Sequence, residues 1–152
     1  GSGPFYKTLK SMARPNVAFL RRLPDNEVAD YYAACKALIF PGEEDFGIVP
    51  LEANASGRPV IAFRAGGALD TVKEGLNGLF FGESTVPSLM DAVKAFEAGK
   101  YNFDPQKIRE HALLFDREVF KDKMKRYVSQ KWAEANGGRR PLKGLADGTT
   151  AE

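Results

Sequence analysis

Short apolar runs alternating with helical patterns predict an α/β chain: a partial Rossmann-like parallel sheet of about four strands flanked by helices, then C-terminal helices. Two observations carry this reading. Val17–Leu20, Ala37–Phe40, Val60–Phe63 and Leu79–Phe81 are unbroken apolar runs, too short for helices and suited to strands covered on both faces. Between them, glycine and proline mark the stops at Pro24, Gly42, Gly47, Gly57, Gly66-Gly67, Gly75 and Gly78.

Taken in order, Phe5–Ala13 reads as a helix and Val17–Leu20 as the first strand. Pro24-Asp25 then opens a helix whose apolar stripe is Val28, Tyr32 and Cys35, with Cys35 expected in the core. Ala37–Phe40 is the next strand and delivers the segment 42–47 to its C-terminal edge, where ligands of open parallel sheets bind. Ile48–Ser56 suits a helix, tolerant of Pro50 in its first turn and stopped by Gly57. The strand Val60–Phe63 leads through Gly66-Gly67 to a short helix carrying Asp70 and Val72, ending at Gly75, and the Asn77-Gly78 turn precedes the last strand. Three helices follow: Pro87–Ala98 with Leu89, Val93 and Phe96 inward, one opened by Asp104-Pro105 with Ile108, Ala112 and Phe115, and one with the face Phe120, Met124, Tyr127, Val128 and Trp132.

At 152 residues the chain has room for one domain, assigned to residues 1–134, with a polar, aperiodic tail over 135–152 expected to be disordered. The net charge of +2 divides into −1 for residues 1–100 and +3 beyond, without the dense basic face that nucleic acid requires, so no nucleic-acid partner is expected. One cysteine excludes an internal disulfide and fits a reducing compartment. No run is long or apolar enough to span a bilayer, and the expected location is cytoplasmic. With no Cys/His cluster and no Asp-x-Asp pair, no metal site is expected.

The segment richest in chemistry runs from Glu44 to Gly57. Glu44 and Glu52, with seven residues between them, flank Phe46-Gly47-Ile48. Gly47 permits a sharp turn, and the helix that follows presents free amides beside two carboxylates. Amides at a helix start favour an anion, and carboxylates accept from hydroxyls, a pairing suited to a ligand with phosphate and sugar groups. Each residue also has a plainer reading: Glu44 as part of a solvated acidic loop, Glu52 as a surface charge, Phe46 as packing that fixes the loop.

With its other landmarks, this segment resembles the retaining nucleotide-sugar glycosyltransferases of the two-Rossmann-domain architecture, glycosyltransferase family 4. Those landmarks are Asn16-Val17-Ala18-Phe19-Leu20, Phe40-Pro41, Gly57-Arg58-Pro59-Val60-Ile61-Ala62, Gly66-Gly67, Gly75 and Gly78, and the similarity runs from Gly3 to about Trp132. The resemblance implies that Glu52 accepts from the ribose hydroxyls, that Glu44 is the catalytic carboxylate holding hydroxyls of the donor sugar, and that the Gly47, Ile48 and Val49 amides face the phosphates. Phe46, Arg22 and Leu23 complete the implied substrate-binding set. No cofactor is implied; the partner is a nucleoside diphosphate sugar. The segments Phe63-Arg64-Ala65-Gly66-Gly67-Ala68-Leu69 and Ile108-Arg109-Glu110-His111-Ala112 resemble mannosyltransferase-like members and point to GDP-mannose.

The resemblance also implies an N-terminally truncated fragment, lacking the acceptor domain and the basic Arg and Lys pair, inactive alone and peripheral to the membrane in the full-length enzyme. Gly1-Ser2-Gly3-Pro4 reads either as the family's glycine turn after its second strand or as a foreign leader. The missing strands would leave open sheet edges and favour a homo-oligomer. Two alternatives are a nucleotide-sugar epimerase of the same plan and a non-catalytic, self-associating half-domain. Arg21, Gly42, Asn54, Asp70 and Asn77 depart from the family pattern, and an arginine at 21 would stack on the base or fill part of its pocket. Gly66-Gly67 reads equally as a ligand contact or as a tight turn, and His111 as structural or exposed rather than catalytic.

Overall fold

The computed structural model describes residues 3–137, so part of the N-terminal glycine turn and most of the 135–152 tail lie outside the described residues. In order come α1 (Tyr6–Met12), α2 (Asp25–Ala34), β1 (Leu38–Phe40), α3 (Ile48–Ala55), β2 (Val60–Phe63), α4 (Ala68–Thr71), β3 (Gly78–Phe81), α5 (Val86–Glu97), α6 (Pro105–Leu113) and α7 (Arg117–Ala135). The strands form one parallel sheet in the order β1-β2-β3, with Ile39 opposite Ile61 and Ile61 opposite Leu79.

The alternation of side chains along β2 divides the core between two faces. Val60 and Ala62 pack with Phe40, Ala53 of α3, Ala68 of α4 and Val72, joined by Tyr32 of α2. Ile61 packs with Leu79, Phe81 and Ala92 of α5, and Leu89, Val93 and Phe96 close over them. Helices thus cover both sides of the sheet, the doubly wound arrangement that the apolar runs predict. Helix starts follow their local chemistry: Asp104 accepts from the amides of Gln106 (2.9 Å) and Lys107, with Pro105 in the first turn, and Asp116 accepts from Glu118 N (2.8 Å).

Three expectations need correction. Val17–Leu20 is not a strand: Val17 N donates to Arg14 O (3.0 Å) in a turn, and Phe19 packs edge-on against Tyr6 of α1 at 5.7 Å. An apolar run becomes a strand only where a neighbour supplies its hydrogen bonds, and β1 is paired only with β2 among the described residues. Cys35 is not in the core: it is half-buried at the C-cap of α2, with Sγ donating to Tyr32 O (3.3 Å). The apolar face of α7 is largely uncovered, with Phe120, Met124, Tyr127 and Val128 all exposed and no residue of the helix buried.

Candidate functional site

The 41–47 loop leaves the C-terminal end of β1 and enters α3 through Gly47, whose φ of 74° is left-handed and costs an L side chain roughly 1 kcal/mol or more. No side chain caps α3. Its first amides therefore remain open to an acceptor, and Glu52 sits one turn further along the same helix.

The Gly66-Gly67 turn holds the other half of the segment. Gly67 N donates to Glu44 O at 2.7 Å. A Cβ on Gly66 would strike the Glu44 carbonyl, and one on Gly67 would strike the Cα and carbonyl of Phe46. Backbone therefore lies against backbone, which is the tight geometry that these glycines allow. Gly66 and Gly67 thereby help to position Glu44. The Phe46 ring closes the loop from outside, edge-on to Phe115 at 6.2 Å, and Phe115 in turn meets His111 at 5.7 Å. His111, half-buried, places Nε2 3.2 Å from Thr71 O, a structural contact on the far side of this stack.

Helix α3 is tied on both flanks. Arg109 of α6 donates from Nε to Ala55 O (3.1 Å), and Arg58 donates from Nε to Ala33 O (2.9 Å) in the last turn of α2, where a helix favours a cation. Tyr32 of α2 donates its hydroxyl to Glu52 Oε2 at 3.1 Å. Burial, reinforced by that bond to Glu52, pushes the Tyr32 phenol up to about 12.

Beneath α3 lies a small polar core. Asn54 and Asn77 are fully buried, and Asn77 Nδ2 donates to Asn54 Oδ1 (2.8 Å) and Thr71 O (3.0 Å). Asn54 Nδ2 donates to Arg58 O (2.8 Å) and Asn77 O (3.1 Å), and Thr71 Oγ1 donates to Gly67 O (3.1 Å). Two of the departures from the family pattern are therefore each other's partners.

Of the predicted site residues, Glu44, Phe46, Gly47, Ile48, Val49 and Glu52 form one continuous lip at the sheet edge. Arg22 and Leu23 lie in the turn before α2, Arg22 exposed and Leu23 half-buried, and line neither groove beside Glu52. One groove, of about 750 Å³, runs between α3 and the α6–α7 corner, with an apolar floor that includes Phe46, Ile48 and Leu113 and basic edges at Arg109 and Lys123. The other, of about 300 Å³, lies between α2 and α3. Sequence reasoning missed Tyr32 and Arg109 as neighbours of the site. Tyr32 read as core stripe, and nothing in the spacing of Tyr32 and Glu52 announces their bond. Arg64, at the end of β2, is committed to an ion pair with Glu74 and to the Phe80 ring at 4.5 Å. No described helix is long and apolar enough to cross a membrane.

The family model described as "Glycosyl transferases group 1" matches residues 1–112. A GDP-mannose-dependent alpha-mannosyltransferase of Corynebacterium glutamicum is 44% identical over 80 residues, covering 52% of this chain and 19% of that protein. Among solved structures, sucrose-phosphate synthase from Thermosynechococcus elongatus superposes with a TM-score of 0.71 at 27% identity, over 84% of this chain and 33% of that one. Anabaena HepE in complex with UDP gives 0.52 at 28% identity, over 66% of this chain and 29% of that one. The chain thus spans a third or less of the length of these relatives.

Proposed function

Because this chain belongs to the glycosyl transferases group 1 family, we propose that it is the donor-binding part of an enzyme that moves a sugar from a nucleoside diphosphate to an acceptor hydroxyl, with retention of anomeric configuration. The observation that carries the reading is the uncapped start of α3, set at the C-terminal edge of a parallel sheet between Glu44 and Glu52. The Gly47, Ile48 and Val49 amides face the diphosphate, Glu52 takes the ribose hydroxyls, and Glu44 holds the sugar hydroxyls beside the reacting carbon. Phe46, Arg22 and Leu23 complete the donor contacts. As the bond to the sugar breaks, charge grows on the leaving diphosphate, and amides already aimed at it stabilise that charge without reorganising.

GDP-mannose is the first donor to test, because the Corynebacterium glutamicum relative is described as GDP-mannose-dependent. UDP is the comparison, because HepE was solved with it. Because the chain spans a third or less of the length of these relatives, the expected outcome for these 152 residues is donor binding without sugar transfer.

Titration of the chain with GDP, GDP-mannose and UDP, followed by amide chemical shifts, tests the proposal. Binding near 1 mM, worth about 4 kcal/mol, is the expectation for ribose and phosphate contacts alone. Glu52→Gln should weaken nucleotide and conjugate alike, whereas Glu44→Gln should weaken only the conjugate. Saturable shifts should centre on Gly47, Ile48 and Val49. Their absence at several millimolar would overturn the proposal in favour of a non-catalytic, self-associating half-domain, a reading whose support is the outer edge of β1, which pairs only with β2 among the described residues and where Ile39 is 47% exposed.

A further inference from the structure

Glu52 is not a bare carboxylate. Its Oε2 accepts the Tyr32 hydroxyl across the interface between α2 and α3, while no hydrogen bond to Oε1 occurs among the described residues. The bond lies on the wall of the smaller groove, floored by Val28 and Ala29 of α2, by Ala55 of α3 and by its C-cap Ser56. Tyr32 itself is fixed: its ring packs on the core cluster around Phe40 and Ala53, and the end of its helix is tied by Arg58, in the turn that follows α3, through the bond to Ala33 O. A long, flexible glutamate on an exposed helix face samples several rotamers, and a donor on a rigid ring selects one of them.

We propose that Tyr32 is the positioning residue for ribose recognition: its hydroxyl holds one oxygen of Glu52 and thereby aims the other at the ribose diol of a nucleoside diphosphate. This inference rests on the assignment of Glu52 to ribose and extends it to a residue on a different helix. The chemistry is a division of labour between two oxygens. Oε2 is anchored within the protein by the Tyr32 hydroxyl, and Oε1 keeps its full acceptor capacity for the ligand. The geometry also fixes what kind of ligand profits from Tyr32: one with a free cis-diol.

The experiment compares GDP with 2′,3′-dideoxy-GDP on the wild-type chain and on Tyr32→Phe, which keeps the packed ring and removes only the hydroxyl. Tyr32→Phe should weaken GDP by roughly three- to tenfold, the worth of one hydrogen bond, and leave dideoxy-GDP unchanged. In the Glu52→Gln background the Tyr32→Phe effect should shrink, since the positioned oxygen pair is already altered. A readout without any variant guards against a folding failure: saturating GDP should shift the Tyr32 ring resonances of the wild type, and saturating dideoxy-GDP should leave them in place. Equal losses for both nucleotides, or no loss and unmoved ring resonances, would overturn the positioning role while leaving the donor reading intact. A folded wild type that binds neither nucleotide would overturn both.

Discussion

Replacing Asn77 with alanine tests whether the buried polar pair under α3 is an integral support. The Asn77 side chain accepts from Lys73 N (2.6 Å) and donates to Asn54 Oδ1 (2.8 Å) and to Thr71 O (3.0 Å). Thr71 O keeps His111 as a partner, but Asn54 Oδ1 is left buried with none among the described residues. Three lost bonds at a net ~1 kcal/mol each, less what incoming water restores, plus ~1 kcal/mol or more for the orphaned oxygen, give a destabilisation of about 3 kcal/mol. With an m value of about 1.5 kcal/mol/M, the urea midpoint followed by far-ultraviolet circular dichroism should fall by about 2 M. Asn54→Leu should cost a similar amount, but the double variant should cost less than the sum by about 1–2 kcal/mol, because the orphan disappears with its partner. Strict additivity, or single losses below about 1 kcal/mol, would refute the claim that the two asparagines act as a unit.

Three further outcomes are expected. Gly67→Ala should dislodge the loop carrying Glu44, since its Cβ would occupy the place of the Phe46 backbone; the melting temperature should drop by about 5 °C or more, with amide shifts concentrated at 44–47, and an unmoved loop would refute the clamp. The Tyr32 phenol is raised from 10.0 to about 12 on folding, so the folded state favours its protonated form. The stability tied to that proton is complete below pH 10 and lost as pH climbs through about 12, and alkaline titration of Tyr32→Phe should lack that component. Light scattering over a concentration series should show a dimer or larger species through the edge of β1 that carries no strand among the described residues, and a monomer at every concentration would mean that this edge is protected.

The sheet was legible wherever an apolar run also had a neighbour. Leu38–Phe40, Val60–Phe63 and Gly78–Phe81 are such runs, and the expected ends differ from the observed ones by a residue or so. Val17–Leu20 shows the limit: its composition is as strand-like as theirs, but it is not a strand of the described sheet, and its Phe19 ring packs on α1. The lip from Glu44 to Glu52 was legible because its chemistry is local, a glycine turn followed by a helix start. The supports of that lip were not. Tyr32 is 20 residues from Glu52, and Asn54 is 23 from Asn77. No local pattern encodes contacts over such separations. Asn54 and Asn77 stood out singly, as departures, without any sign that each accounts for the other.

The two glutamates rest on one buried support reached by different routes, and this explains how exposed carboxylates can keep a fixed relation to each other. Glu52 rides α3, whose C-terminal turn is held from below by Asn54. Glu44 rides a loop pinned by the Gly67 amide, and the Gly67 carbonyl is held by Thr71 Oγ1. Thr71 and Asn54 are then joined through Asn77, which bonds to both. An apolar filling of the same volume would leave Lys73 N and Arg58 O without their side-chain partners and would not fix the register between the loop and the helix, because dispersion contacts are weakly directional and hydrogen bonds are strongly so. The polar core at this position therefore serves placement as well as stability. Its disruption should first appear as a loosened relation between Glu44 and Glu52, at substitutions too mild to unfold the chain.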